Sequence, residues 1–97
     1  MIEPGDIYLA DLDEERRRLV LVVSSSSFNR SSERALVAPE VFGEPDVVAF
    51  PWRVSVDDVV FAVDLLRTFP VSRLLDRTDR APHGAMLMVR RAVLNIT

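Results

Sequence analysis

The sequence predicts a mainly β fold, a small barrel-like domain with one C-terminal helix, and three observations carry the prediction. Short apolar runs recur from Ile7 to Leu75, separated by charge clusters and turn residues, with the alternating or wholly apolar patterning of strands. From Pro82 the apolar residues change to a helical period. A chain of 97 residues with 48% apolar content makes one domain, residues 1–97, with a single core and little margin, and is too apolar for disorder.

The chain is organised around Gly5 to Arg30, two apolar runs joined by an arginine-rich turn and followed by a polar loop. Ile7 and Leu9 alternate with Tyr8 and Ala10, as side chains do on the two faces of a strand. Leu19 to Val23 is apolar throughout and β-branched at three of five positions, which suits a strand covered on both faces. Between them Asp11, Asp13, Glu14 and Glu15 run into Arg16, Arg17 and Arg18. A block of charges cannot be buried unpaired, so this loop is a salt-bridged tip or an anion-binding group at the rim of the sheet. Ser24 to Glu33 reads as a loop, with Phe28 pinning it to the core.

Ala35–Ala38 reads as a third strand stopped by Pro39, and Gly43 to Asp46 supplies a turn. Val48, Phe50, Trp52, Val54 and Val56 alternate with polar partners as a half-buried strand, and Pro51 assigns it to an edge or bulge. Asp57-Asp58 makes a turn, and Val59–Leu66 reads as another strand, with Asp64 its one charge. Residues 67–75 mix turn and short-strand signals. In the C-terminal helix Ala85, Met86, Val89, Ala92, Val93 and Ile96 share a face, while Leu87 and Leu94, a heptad apart, form a separate flank that is either a second apolar patch for a partner or simply a pair of exposed leucines.

The absence of cysteine excludes disulfides and thiolate metal sites and makes the cytoplasm the expected compartment. No apolar run approaches a membrane span, and the first ten residues lack the pattern of a signal peptide. Net charge is −3, unlike the basic surplus usual in nucleic-acid binders. All 12 basic residues are arginine, however, whose planar fork matches phosphate oxygens. One histidine, no cysteine and three scattered glycines give no metal constellation and no phosphate-binding glycine loop, so no cofactor is expected. His83 reads as a surface residue at the helix start.

Asp64 within an apolar run has to be paired or exposed, and Arg67 and Arg18 are its expected partners. Two readings stand: an ion pair that fixes the sheet, or an acid/base carboxylate beside arginines that hold a phosphate. Arg16 to Arg18 divide the same way, between a solvated loop and a phosphate clamp.

Gly5-Asp6-Ile7-Tyr8, an arginine leading into Leu19 to Ser24, then Phe28-Asn29-Arg30 and Val37-Ala38-Pro39, resemble the MazF/Kid/PemK toxin family. The resemblance continues through Asp64 to Thr68, Arg73-Leu74, Ala81-Pro82 and Met86, and so covers nearly the whole chain in order. It implies an SH3-like barrel with a C-terminal helix, a homodimer, and a bacterial toxin neutralised by a small antitoxin protein. The implied activity is metal-independent cleavage of single-stranded RNA, mRNA or tRNA, with the ribose 2′-hydroxyl as nucleophile. Arg18 matches the family arginine that acts on the scissile phosphate, and Asp64 the carboxylate that transfers protons in Kid-like members. Arg67 matches the arginine after it, and Arg16, Arg17, Arg30 and Arg67 are the RNA-binding candidates.

The chain departs from the pattern at several positions. Glu40-Val41-Phe42 follows the third strand's proline where the family has Thr or Ser, so Val41 replaces the hydroxyl and Glu40 becomes the candidate base. Leu19 stands for a proline, the loop before Arg18 is short, and Ala62 stands for an arginine. The fold also carries CcdB-type toxins, which bind DNA gyrase and need no catalytic residues, but their Trp-Gly-Ile end is replaced by Leu94-Asn95-Ile96-Thr97. A non-catalytic binder, of gyrase or another protein, and a member that only binds antitoxin are therefore the alternatives.

Overall fold

The computed structural model describes residues 1–42 and 51–97. Its elements in chain order are β1 (Asp6–Ala10), β2 (Arg18–Val22), α1 (Ser26–Ser32), β3 (Arg34–Val41), β4 (Arg53–Val56) and β5 (Val59–Ala62). A 3-10 turn (Val63–Leu65), β6 (Arg67–Pro70), a second 3-10 turn (Val71–Arg73), β7 (Leu74–Arg80) and α2 (His83–Ile96) complete it. The described strands form one antiparallel sheet in the order β4-β5-β3-β2-β1-β7, with β6 pairing the first half of β3. The sheet curls into a half-barrel against α2.

β2 is covered on both faces, as its unbroken apolar run requires. Leu21 packs with Ile7, Ala38, Val54, Phe61 and, from α2, Val89 and Ala92. Val20 and Val22 pack on the other side with Ala10, Leu12, Ala35, Val37 and Leu74. The helical stripe behaves as its period predicts, except that Ile96 is exposed along with Leu87 and Leu94. Gly5 supplies the turn that leads into β1. Its φ of +94° is one that L side chains rarely adopt, and its N–H and C=O tie Val22 and Ala81 to that turn.

Several sequence expectations are corrected. Ser24–Glu33 contains a helix, α1, in a segment of weak helix formers. Ser25 caps it by accepting from the Phe28 N–H, and Glu33 ends it in the left-handed conformation. Its anchor is Asn29, not Phe28: the ring is 43% exposed, whereas Asn29 is 4% exposed and its amide donates to the carbonyls of Ile2 and Ser24. Asn29 Oδ1 also meets the Ser24 hydroxyl, which in turn accepts the Leu36 N–H. Tertiary hydrogen bonds thus override propensity.

Pro39 does not stop the third strand, which runs on to Val41. The backbone of Leu36 faces β2, accepting from the Val23 N–H, so by alternation that of Pro39 faces the opposite side. There β3 exchanges β6, paired through Val37, for β5, paired from Glu40. The missing N–H falls at the gap between the two partners.

The strand expected from Val48 begins, within the described residues, at Arg53, and its Val54 and Val56 are buried as the alternation requires. Residues 48–50, and the turn expected at 43–46, lie outside the described residues. β4 is an edge strand of the sheet, and the Asp57-Asp58 turn joins it to β5 with Asp57 at φ 53°. The strand expected over Val59–Leu66 ends at Ala62, and Asp64 sits exposed in the following 3-10 turn. Finally, no strand is expected from the residues beyond Leu75, yet β7 runs to Arg80. Its charges are compatible with a strand because it pairs with β1 alone, at the sheet edge, and is solvent-exposed beyond Leu74.

Candidate functional site

Arg18 opens β2 at the rim of the sheet, immediately after the charged loop. Pairing of Val20 with Pro39 sets Leu19 opposite Glu40 on β3. The Glu40 carboxylate accepts the Leu19 N–H through Oε1 at 2.7 Å, and the Glu40 carbonyl accepts from Arg18 Nη1 at 3.4 Å. Arg18 Nη2 donates to Glu14 Oε2 at 2.9 Å, and the guanidinium stands 5.9 Å from the centroid of the Phe42 ring, over its face. Among the described residues no hydrogen bond is made to Glu40 Oε2. One arginine, two carboxylates and an exposed aromatic ring therefore meet where β2 begins and β3 ends.

The rest of the charged loop is held from below. Arg73 Nη1 donates to Asp13 Oδ1 at 2.6 Å and lies 3.5 Å from Asp11 Oδ2, so its guanidinium is held still more firmly protonated, chiefly by the hydrogen bond it donates to Asp13. Arg16 and Arg17 are exposed and, among the described residues, form no ion pair. They directly precede Arg18 in the chain, and the ion pairs of Asp11, Asp13 and Glu14 make the loop a salt-bridged tip.

Asp64 belongs to a different neighbourhood. Its carboxylate is gripped in bidentate fashion by Arg53, Nε to Oδ1 at 2.9 Å and Nη2 to Oδ2 at 3.2 Å. No ion pair joins it to Arg18 or Arg67, the partners expected from the sequence. The spacing of Arg53 from Asp64 gave no hint of this, because only the β4–β5 hairpin, with Arg53 opposite Ala62, brings them together. Arg67 pairs with Val37 and stands 5.1 Å over the Phe69 ring. Arg18, one residue before the Leu19–Glu40 pair, is level with Val41, so Arg67 lies four β3 positions away, about 13 Å along the strand. Arg30 on α1 is exposed and precedes the start of β3, the end opposite Arg18. Of the seven candidates the fold thus brings together Arg16, Arg17, Arg18 and Glu40.

Glu14 and Phe42 were not singled out from the sequence as site residues. The four-residue separation of Glu14 from Arg18 was a usable signal, whereas nothing local showed that Phe42 stays exposed.

A second charged cluster is structural. Asp6, 1% exposed, accepts the Glu3 N–H and an Arg80 Nη1 donor at 2.8 Å, with Arg77 at 3.6 Å, and fastens the N-terminal turn to β7. Tyr8, beside Arg77 on the paired strand, has its hydroxyl pKa raised, first by burial and then by the Asp6 charge. A groove of about 750 Å³ runs between α2 and the Pro4 turn, lined by Met86, Val89 and Val93 and also by Arg80, His83 and Arg90. No helix among the described residues is long and apolar enough to cross a membrane.

Residues 3–97 match the family model described as PemK-like, MazF-like toxin of type II toxin-antitoxin systems, and the chain belongs to that family. Among solved structures it resembles an endoribonuclease in complex with its cognate antitoxin from a mycobacterial species. The TM-score is 0.86 at 17% identity, over 98% of this chain and 93% of that one. It also resembles MazF in a MazE–MazF complex from Deinococcus radiodurans, with a TM-score of 0.77 at 19% identity over 98% and 93% of the two chains. Toxin MazF-mt6 of Mycobacterium tuberculosis gives a TM-score of 0.78 at 22% identity over 93% of each chain. No match is found among curated protein sequences.

Proposed function

We propose that this protein is an endoribonuclease toxin that cuts single-stranded RNA without a metal ion, works in the cytoplasm as a homodimer, and is silenced by a small antitoxin protein. The observation that carries the reading is the cluster at Arg18. A phosphate contacting its guanidinium has Arg16 and Arg17 beside it for neighbouring phosphates and Glu40 close to the reacting ribose. Cleavage requires the 2′-hydroxyl to lose a proton while O2′ bonds to phosphorus. The bond from phosphorus to the 5′-oxygen then breaks, and that oxygen takes up a proton. Charge builds on the phosphate oxygens, where a charged planar donor is most effective. Glu40, with Oε2 open and Oε1 held by the Leu19 N–H, is positioned to accept the 2′-hydroxyl proton. Asp64 is the second proton-transfer candidate and has to leave its pair with Arg53 before it exchanges a proton. Arg67, about 13 Å from Arg18 along β3, and Arg30, beyond the far end of that strand, are the remaining candidates for contacts to more distant phosphates. The neighbours named as endoribonucleases and as toxin–antitoxin complexes support this reading at the level of fold.

The test is incubation of antitoxin-free protein with a long mixed-sequence RNA in EDTA, mapping the 5′ ends, alongside Arg18→Ala and Asp64→Asn. Discrete cuts are expected, lost in Arg18→Ala by roughly 100-fold or more, the scale of removing one donor to a developing oxyanion, and reduced less in Asp64→Asn. Absence of cuts with toxicity retained in cells would overturn the reading in favour of a protein target such as gyrase.

A further inference from the structure

Phe42 is the most exposed aromatic residue among those described, at 65%, and its position is unusual for an apolar side chain. It directly follows β3, packs in neither core cluster, and has the Arg18 guanidinium over its face. Apart from that cation–π contact, a ring this exposed adds little to the isolated fold. It does offer a flat π-face to a ligand that has one of its own. In single-stranded RNA recognition, unstacked bases lie on aromatic rings and arginine planes, and every base has the face required.

The geometry points to a nucleobase subsite formed by Phe42 and Arg18, in which a base flanking the scissile phosphate stacks on the Phe42 ring. This inference rests on the ribonuclease reading above and adds to it the group that positions the substrate. Arg18 is shared: its guanidinium lies over one face of the ring, 5.9 Å from the centroid, with its donors toward the phosphate, and the other face of Phe42 takes the adjacent base. Glu40, two residues before Phe42 on β3, then lies toward the ribose between them. The stacking is tolerant of base identity, so Phe42 sets affinity and register along the strand more than sequence choice.

The experiment compares wild type with Phe42→Ala, Phe42→Leu and Phe42→Trp on an oligoribonucleotide containing one mapped cut, and on the same oligonucleotide made abasic at each position flanking the cut. Circular dichroism checks that each variant is folded. Expected are a KM raised about 5- to 150-fold in Phe42→Ala, the range of one base–aromatic stack, with kcat changed far less. Phe42→Leu should behave like Phe42→Ala, and Phe42→Trp should restore the wild-type KM. At one flanking position the abasic substrate should weaken wild type by a similar factor and leave Phe42→Ala unaffected, so the two losses do not add. Additive losses, or a KM unchanged in Phe42→Ala, overturn the subsite while leaving the ribonuclease reading intact. Unchanged RNA handling with weakened antitoxin binding assigns the ring to a protein contact instead. If wild type neither binds nor cleaves RNA, the ribonuclease reading itself fails and the subsite falls with it.

Discussion

If Arg18 binds an RNA phosphate as proposed, Glu14 competes for the Arg18 donor that the phosphate would take. The pair is 2.9 Å apart, with side chains 25% and 36% exposed, and no second cation touches Glu14 among the described residues. An ion pair this accessible is worth about 0.2–1 kcal/mol, because water screens it and two long side chains lose freedom to hold it. Replacing Glu14 by alanine therefore lowers stability only slightly and leaves Arg18 free. RNA no longer has to displace the carboxylate, so binding should tighten by about 1.4- to 5-fold, the same energy expressed as an affinity ratio. Removing the net neutralisation of Arg18 should also steepen the dependence of log Kd on log salt, by up to about 0.7, the increment for one single-strand phosphate contact. The assay is fluorescence anisotropy of a labelled 2′-O-methyl oligoribonucleotide, which cannot supply the nucleophile, over a salt series. Weaker binding by Glu14→Ala, or an affinity and slope identical to wild type, would refute the assignment of Arg18 to a phosphate.

Two further predictions concern the scaffold. Asn29→Ala leaves the carbonyls of Ile2 and Ser24 and the Ser24 hydroxyl short of a partner, and should destabilise the protein by about 1–3 kcal/mol in urea unfolding. An equal loss from Phe28→Ala would contradict the placement of the α1 anchor. Tyr8 is the sole tyrosine, and its folded pKa lies above the ordinary 10.0. The unfolded chain therefore ionises first, so stability is unaffected below about pH 10 and falls as pH rises through the folded value. Tyrosinate absorbance should titrate above 10 in the folded protein and return to the ordinary value in urea. A folded titration at or below 10 would show the ring to be freely solvated.

Much of the architecture was legible because it depends on local period. Leu19 to Val23 could only be a strand covered twice, Val54 and Val56 could only face inward together, and the Ala85 to Val93 stripe could only lie on one helical face. Arg18 was legible as a rim cation because a charged run between two strands has nowhere else to go. Three things depended on partners distant in sequence. Asn29 holds α1 through Ile2, 27 residues away, and no propensity encodes that. Asp64 finds Arg53 through the β4–β5 hairpin, and Pro39 is tolerated because β3 changes partners beside it. β7 hides in sequence because an edge strand can carry charge at nearly every position. The same dependence holds for the site: the sequence by itself determined that an arginine and carboxylates stand at the rim of a small β domain. Only the tertiary structure decided which meet, because the pairing of β2 with β3 sets Glu40 and Phe42 against Arg18 and leaves Asp64 to Arg53 on the other side of β3.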